Sequence, residues 1–332
     1  MDWEGKNVLV TGVSGFVGSW LSDTLVERGS NLFSFKYSEK SFSNFDYLNL
    51  SKRSEKVIKG SVTDLELLKR TFKKNDIDTC FHLAAQTIVG VGMKSPLLTF
   101  KVNIEGTWNI LESCRQSNAI ERVIIASSDK AYGAHEKLPY KEDYALLPAE
   151  PYSTSKACAD ILSQLFGKFY GLPIGIVRPA NIFGGGDFNF SRIVPSISKD
   201  IIFNKRPEIT TQGRAIRDFI YISDMIDAYL TLAQKLDDKK VRGEPFNFSG
   251  ENKISILELV KKMIEVSNKD LEPKILGTRN EEKEIDEQYL NCEKAKRLLG
   301  WKPKTPLKEG IKKSLDWYED FFNSDFYKKA IS

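Results

Sequence analysis

Through the first half of the chain, short apolar, β-branched or aromatic runs alternate with stretches whose apolar positions recur every three or four residues. The runs NVLV (7–10), NLFSF (31–35), KVIKG (56–60), DTCFHLAA (78–85), RVIIA (122–126) and PIGIVRP (173–179) predict strands. Helical spacing marks GSWLSDTLVERG (18–29), DLELLKRTFKKND (64–76), SPLLTFKVNIEGTWNILESCRQ (95–116) and a helix through 151–170 ended by Gly171. Strands apolar on both faces and separated by helices predict a parallel sheet with right-handed crossovers, a doubly wound α/β fold.

Beyond Pro179 the rhythm changes. NIFGGGDFNFSRIVP (181–195) is glycine-rich and reads as a loop, and Ser223 reads as the N-cap of SDMIDAYLTLAQKL (223–236). KAKRLL ends at Gly300, and TPLKEGIKKSLDWYEDFF (305–322) is an amphipathic last helix. The expected organisation is a nucleotide-binding domain over 1–180 with a return around 215–236. Residues 181–332 form mainly a smaller α/β substrate domain.

Composition changes this picture little. The net charge of +4 comes from 49 basic and 45 acidic residues mixed along the chain, too weak and scattered for a nucleic-acid footprint. No apolar run reaches the roughly 18 residues of a membrane span, and the first residues lack the order of a signal peptide. The four cysteines, Cys80, Cys114, Cys158 and Cys292, lack metal-ligand spacing, so reduced thiols and a cytoplasmic setting are expected. With His82 and His135 the only histidines, a histidine-rich metal site or a Ser–His–Asp hydrolase is disfavoured.

Chemistry enters at TGVSGFVG, which places Gly12, Gly15 and Gly18 between the first strand and first helix. Such glycines permit a tight turn and let backbone approach a pyrophosphate, while the helix N-terminus supplies free N–H groups and positive dipole. A Rossmann-type dinucleotide site is expected. Lys36 falls at the end of the second strand, where NAD enzymes place a carboxylate for the ribose 2′-hydroxyl. A cation there suits a 2′-phosphate or points to solvent, so the cofactor is NAD or NADP.

The fifth strand runs into SSDKAYG (127–133), and the next helix carries Tyr152 and Lys156 four apart on one face. A serine at the carboxyl edge of a parallel sheet, followed by Tyr-x-x-x-Lys and preceded by the glycine turn, resembles the short-chain dehydrogenase/reductase family. It resembles the extended form that acts on nucleotide sugars. The likeness covers nearly the whole chain, through FHLAA, Asn103, RPANIFGGGD, RDFIYISDMIDAY and KAKRLLGWKPKTPLKEGIKKSLDWY.

The resemblance implies roles residue by residue. Tyr152 is the base that takes the sugar O4 proton as hydride leaves C4, Lys156 favours its phenolate, and Ser128 orients O4. Asp129 and Lys130 look like the acidic pair of sugar-nucleotide 4,6-dehydratases, in the Asp-Lys form of CDP-glucose 4,6-dehydratases. Asp129 then protonates the departing O6 and Lys130 assists removal of the C5 proton, unless the two only form an ion pair that shapes the turn. The implied cofactor, tightly bound, meets Gly12, Ser14, Gly15, Phe16, Val17, Gly18, Lys36, Ser61, Val62, Leu83, Ala84, Ala85, Asn103 and Pro179. The implied nucleotide-diphosphate sugar meets Gln86, Asn181, Arg192 and Arg217.

Two stretches depart from the dehydratase pattern. AAQTIVGVG has no arginine after AAQ, and RDFIYI follows the epimerase-like form. A 4,6-dehydratase is therefore the first reading, and a 4-epimerase or a 4-ketoreductase the alternatives. Family dimers pair the two long helices in a four-helix interface, so a homodimer is expected.

Overall fold

A computed structural model of the chain describes residues 3–37, 42–278 and 285–331. Its centre is a seven-stranded parallel sheet. Strands β1 (Asn7–Thr11), β2 (Asn31–Lys36), β3 (Lys56–Lys59), β4 (Thr79–His82), β5 (Arg122–Ala126) and β6 (Ile174–Pro179) are joined by the strand Glu244–Phe248. The order is Glu244–Phe248, β6, β5, β4, β1, β2, β3. The strand order reverses beside β1, whose Val8 pairs with Leu32 on one side and Thr79 on the other. That reversal opens a crevice at the carboxyl ends of β1 and β4, where ligands bind in open α/β sheets.

Burial explains the sheet. Val8, Leu9, Val10, Cys80, Phe81, Val123, Ile124, Ile174 and Ile176 are all fully enclosed. Two apolar clusters form, one on each face. The first packs the helices Phe16–Glu27 and Ile222–Gln234, and the second packs Leu65–Lys74 and Gly106–Arg115. Among the described residues no helix is long and apolar enough to cross a membrane. All four cysteines are free thiols, and only Cys158 is partly open.

Three expectations change. The stretch 181–195 is not all loop: Asn181–Phe183 pairs with Phe219–Tyr221, and a helix begins at Ile193. The helix expected over 95–116 opens one wide turn at Lys101–Glu105 between Pro96–Phe100 and Gly106–Arg115. Ser223 is not an N-cap. The helix starts at Ile222 after Tyr221, and its acidic first turn is answered from outside, where Asp224 accepts from the amides of Lys304 and Thr305.

The helix Leu307–Asn323 closes the molecule near the site. Its Trp317 and Phe321 pack among Phe42, Tyr47 and Phe188, tying the segment after β2 to the glycine-rich loop after Phe183. The Tyr318 hydroxyl donates to the Asp187 carbonyl at 2.8 Å, and Trp20 Nε1 to the Gly185 carbonyl at 2.8 Å.

Candidate active site

The glycine turn fits a dinucleotide. Gly12 has φ +75°, and a Cβ there would lie 2.8 Å from the Ala84 amide nitrogen. A Cβ on Gly18 would lie 2.2 Å from the Gly12 carbonyl oxygen. Turn, helix and β4 therefore meet backbone to backbone, leaving a cradle that side chains would fill. Gly15 caps the helix Phe16–Glu27 without a side chain, and no acid occupies the first turn, so the N–H groups of Phe16, Val17 and Gly18 face outward with positive dipole.

Beneath the cradle lies a buried polar chain. Thr11 Oγ1 accepts from the amides of Leu83 and Ala84 and lies 2.8 Å from His82 Nδ1. Thr107 Oγ1 lies 3.2 Å from His82 Nε2 and donates its own proton to the Asn103 carbonyl. His82 is thus a neutral imidazole protonated on Nε2. Burial first, then the nearby Lys156 charge, lowers its pKa to about 3.

Asn103 reaches the site indirectly. Its Oδ1 accepts from the Gln86 amide at 2.7 Å, and its Nδ2 donates to the Gln86 carbonyl and to Ser155 Oγ. The Gln86 side chain is turned onto its own loop, bonding Ile88 and Thr99 Oγ1. Ser61 bonds Thr63, and Val62 is buried under Gly106. Ser14 and Ala85 lie at the crevice, with Pro179 ending β6 on the far side of β5.

Ser128, Asp129, Lys130, Tyr152 and Lys156 come together at the mouth of β5. Glu150 caps the helix Pro151–Lys168 in a capping box with Ser153, which fixes the helix start beside Tyr152. Burial pushes the Tyr152 phenol up to about 12, while a hydrogen bond with Ser128 pulls it back. Lys156 Nζ donates to the Ala126 carbonyl at 2.7 Å, and burial lowers its pKa to about 8 against the pull of Asp160. Both shifts favour the neutral forms in the free protein. A cationic group entering beside Tyr152 would favour the phenolate.

Asp129 opens a short helical turn, Asp129–Tyr132, and is 2% exposed. Its Oδ1 accepts from Ser128 Oγ at 3.1 Å and from Lys130 Nζ at 3.4 Å, while its Oδ2 is buried without a partner. An orphaned carboxylate oxygen is costly, so it marks a place open to a ligand hydroxyl. Lys130 also donates to Asn181 Oδ1 at 3.4 Å.

Behind the turn stands a network that sequence reasoning missed. Arg178 grips Asp160 with two 2.8 Å bonds and also donates to the Tyr132 hydroxyl and the Glu142 carbonyl. Its one legible signal is Asp160 on the Lys156 face of the helix, four residues on. Arg217 donates to the carbonyls of Ile216 and Asp286. Asp218, the next residue, accepts from Ser249 and from the amides of Leu290 and Asn252, and burial raises it to about 6. Arg192 is half-exposed and pairs with Asp187 at 3.0 Å. Lys36, at the adenosine end, is buried against Phe45 and pairs with Asp46 at 3.5 Å.

A family model described as GDP-mannose 4,6 dehydratase matches residues 9–314. The chain belongs to that family. It is an extended short-chain dehydrogenase/reductase. It is 30% identical to the human dTDP-D-glucose 4,6-dehydratase, over 98% of this chain and 94% of that one. It is 29% identical to the CDP-glucose 4,6-dehydratase of Salmonella typhimurium, over 97% and 93%. Among solved structures, UDP-glucose 4-epimerase from Thermotoga maritima superposes with a TM-score of 0.87 at 27% identity, over 95% and 99% of the two chains. The Bacillus cereus UDP-glucuronic acid 4-epimerase, in complex with UDP-glucuronic acid and NAD, gives 0.82 at 25%, with the same coverage.

Proposed function

We propose that this family member is a nucleotide-diphosphate-sugar 4,6-dehydratase that yields a 4-keto-6-deoxy sugar and releases one water. The observation that carries the proposal is the buried, unpartnered Asp129 Oδ2 beside Ser128, Lys130 and Tyr152. A nicotinamide cofactor held over the glycine turn of Gly12, Gly15 and Gly18 would supply the hydride acceptor for C4 and the hydride donor for C6, which would keep the reaction redox-neutral. Tyr152 removes the O4 proton, with Ser128 holding O4 and the Lys156 ammonium favouring the phenolate. The C4 ketone then acidifies the C5 proton, which Lys130 helps remove, while Asp129 delivers a proton to O6 as water leaves. As hydride returns to C6, Lys130 gives the proton back to C5, and the O4 proton held by Tyr152 passes through solvent to restore Asp129, so the sugar loses one water and the protein ends as it began.

Arg217 and Arg192 supply cations for the diphosphate, with Asn181 beside them. The cofactor half is proposed as residues 1–180 with the return at 215–236, and the remainder as the sugar-nucleotide half. Within the NAD/NADP pair, NAD is favoured. The Asp46 carboxylate already neutralises Lys36 and would repel a 2′-phosphate. A homodimer is supported by apolar side chains left open on the two long helices, including Leu97, Trp108, Ile161, Leu165 and Phe169.

A second reading is 4-epimerisation, favoured by the likeness to epimerase structures; it needs Tyr152 and Lys156 but not the Asp129–Lys130 pair. The test incubates purified protein, without added cofactor, with a panel of nucleotide sugars and weighs the product. Loss of one water supports the dehydratase, and an isomer of unchanged mass supports the epimerase. In the dehydratase, Asp129→Asn leaves cofactor reduction measurable at 340 nm, the general absorbance of reduced nicotinamide, yet suppresses water loss about 100-fold or more. Equal loss of both steps removes Asp129 from its role.

A further inference from the structure

The acid and the base at the mouth of β5 are tethered to one distant stretch of chain. The Asp129 carbonyl accepts a hydrogen bond from Gln288 Nε2 at 3.2 Å, across 159 residues. Gln288 is buried and ends the strand Glu287–Gln288, which runs parallel to Ile216–Arg217 with Gln288 opposite Arg217. Lys130 Nζ reaches Asn181 Oδ1, and Asn181 donates to the Asp218 carbonyl through both its amide and its side chain. Both tethers therefore end on 216–218. Of the groups that serve C4, Ser128 caps the same turn, while Tyr152 and Lys156 ride the helix Pro151–Lys168.

The turn needs such support. It spans four residues, Asp129–Tyr132, with backbone bonds from Ala131 to Ser128 and from Gly133 to Lys130 at its two ends. The turn's own pattern pairs the Asp129 carbonyl with the Tyr132 amide, so Gln288 fills the second acceptor position of that carbonyl; without it the peptide would lose its tie to the strand Glu287–Gln288 and be held by the turn alone. Shifting that peptide moves the Cα of Asp129 and so re-aims the carboxyl group that its side chain carries. Proton delivery tolerates little misplacement, since an error of about 1 Å costs roughly 100-fold in rate.

We infer that Gln288 is a positioning residue for the elimination step, holding the Asp129 peptide in register with the strand that carries Arg217. Filling the diphosphate end then steadies the acid at the sugar end, while the base of the C4 oxidation, Tyr152, stays on its own helix. The inference rests on the dehydratase reading proposed above.

The test uses the full chain with its bound cofactor and a nucleotide sugar that the wild type dehydrates. Stopped-flow absorbance of reduced cofactor and the product mass are followed in wild type, Gln288→Leu and Gln288→Met; the flexible methionine guards against a packing defect. The expected result is reduction within about twofold of wild type, a longer-lived reduced cofactor and water loss slowed at least tenfold in both variants. A 6-deoxy-6-fluoro substrate, whose leaving group needs less protonation, should close most of that deficit. Equal slowing of both steps, or no slowing, overturns the positioning role while the dehydratase reading stands. A wild type that returns only an isomer overturns both.

Discussion

Asp160→Asn probes the network behind the reacting turn. In the structure Asp160 is fully buried and Arg178 is 1% exposed, joined by two 2.8 Å bonds from Nε and Nη2. Removing the charge from one partner leaves a buried guanidinium uncompensated, which costs roughly 3–5 kcal/mol. Asparagine keeps the volume and one acceptor oxygen, and Arg178 keeps the Tyr132 hydroxyl and the Glu142 carbonyl. The lower end of the range, about 3 kcal/mol, is therefore expected. At roughly 2.1 cal/mol/K per residue, unfolding this 332-residue chain carries an entropy of about 0.7 kcal/mol/K. The melting temperature should then fall by about 4 °C in a calorimetric scan. The double variant Asp160→Leu with Arg178→Met removes both charges, and it should recover at least half of that loss. An Asp160→Asn protein melting within about 1 °C of wild type would refute the reasoning, as would a double variant worse than the sum of the singles.

Further outcomes follow from the same geometry. Lys156 has a folded pKa lowered to about 8, so the ammonium that favours the Tyr152 phenolate is present below that pH and lost above it. kcat/KM should decline as pH rises through about 8, and Lys156→Arg should move that limb beyond pH 10, as a pH–rate profile would record. Since the unfolded chain binds more protons than the folded one between about 8 and the ordinary lysine value, the Lys156 contribution to stability rises with pH across that window. Gly12→Ala forces a Cβ against the Ala84 backbone at positive φ, so the purified protein should carry less than a tenth of the wild-type cofactor, measured by absorbance after acid release. Tyr152→Phe should abolish the transient reduction of cofactor while leaving nucleotide-sugar affinity, measured by calorimetry, within about threefold.

The strands of the sheet were legible because parallel strands are apolar on both faces, and β1, β4 and β5 are enclosed almost completely. The glycine turn and the Tyr152–Lys156 spacing were legible because their chemistry is local. The seventh strand was not: Glu244–Phe248 carries Pro245 and the polar Asn247, which weaken a strand pattern. It lies at the sheet's edge, where proline is tolerated. The helix Ile256–Ser267 carries its own local signal, a capping box of Ser255 with Glu258. Asn181–Phe183 and Glu287–Gln288 are too short to show a period. The grips of Gln288 on Asp129 and of Asp46 on Lys36 exist only once distant segments meet, so no spacing encodes them.

Trp20 and Trp317 flank the glycine-rich loop, one bonded to the Gly185 carbonyl and the other stacked on Phe321. Indole emission shifts with polarity, so this pair forms a built-in optical gauge. Seating a nucleotide sugar should change its colour, and reduced nicotinamide, which absorbs where indoles emit, should dim it. Turnover in this molecule is thus open to recording by light alone, with no dye attached.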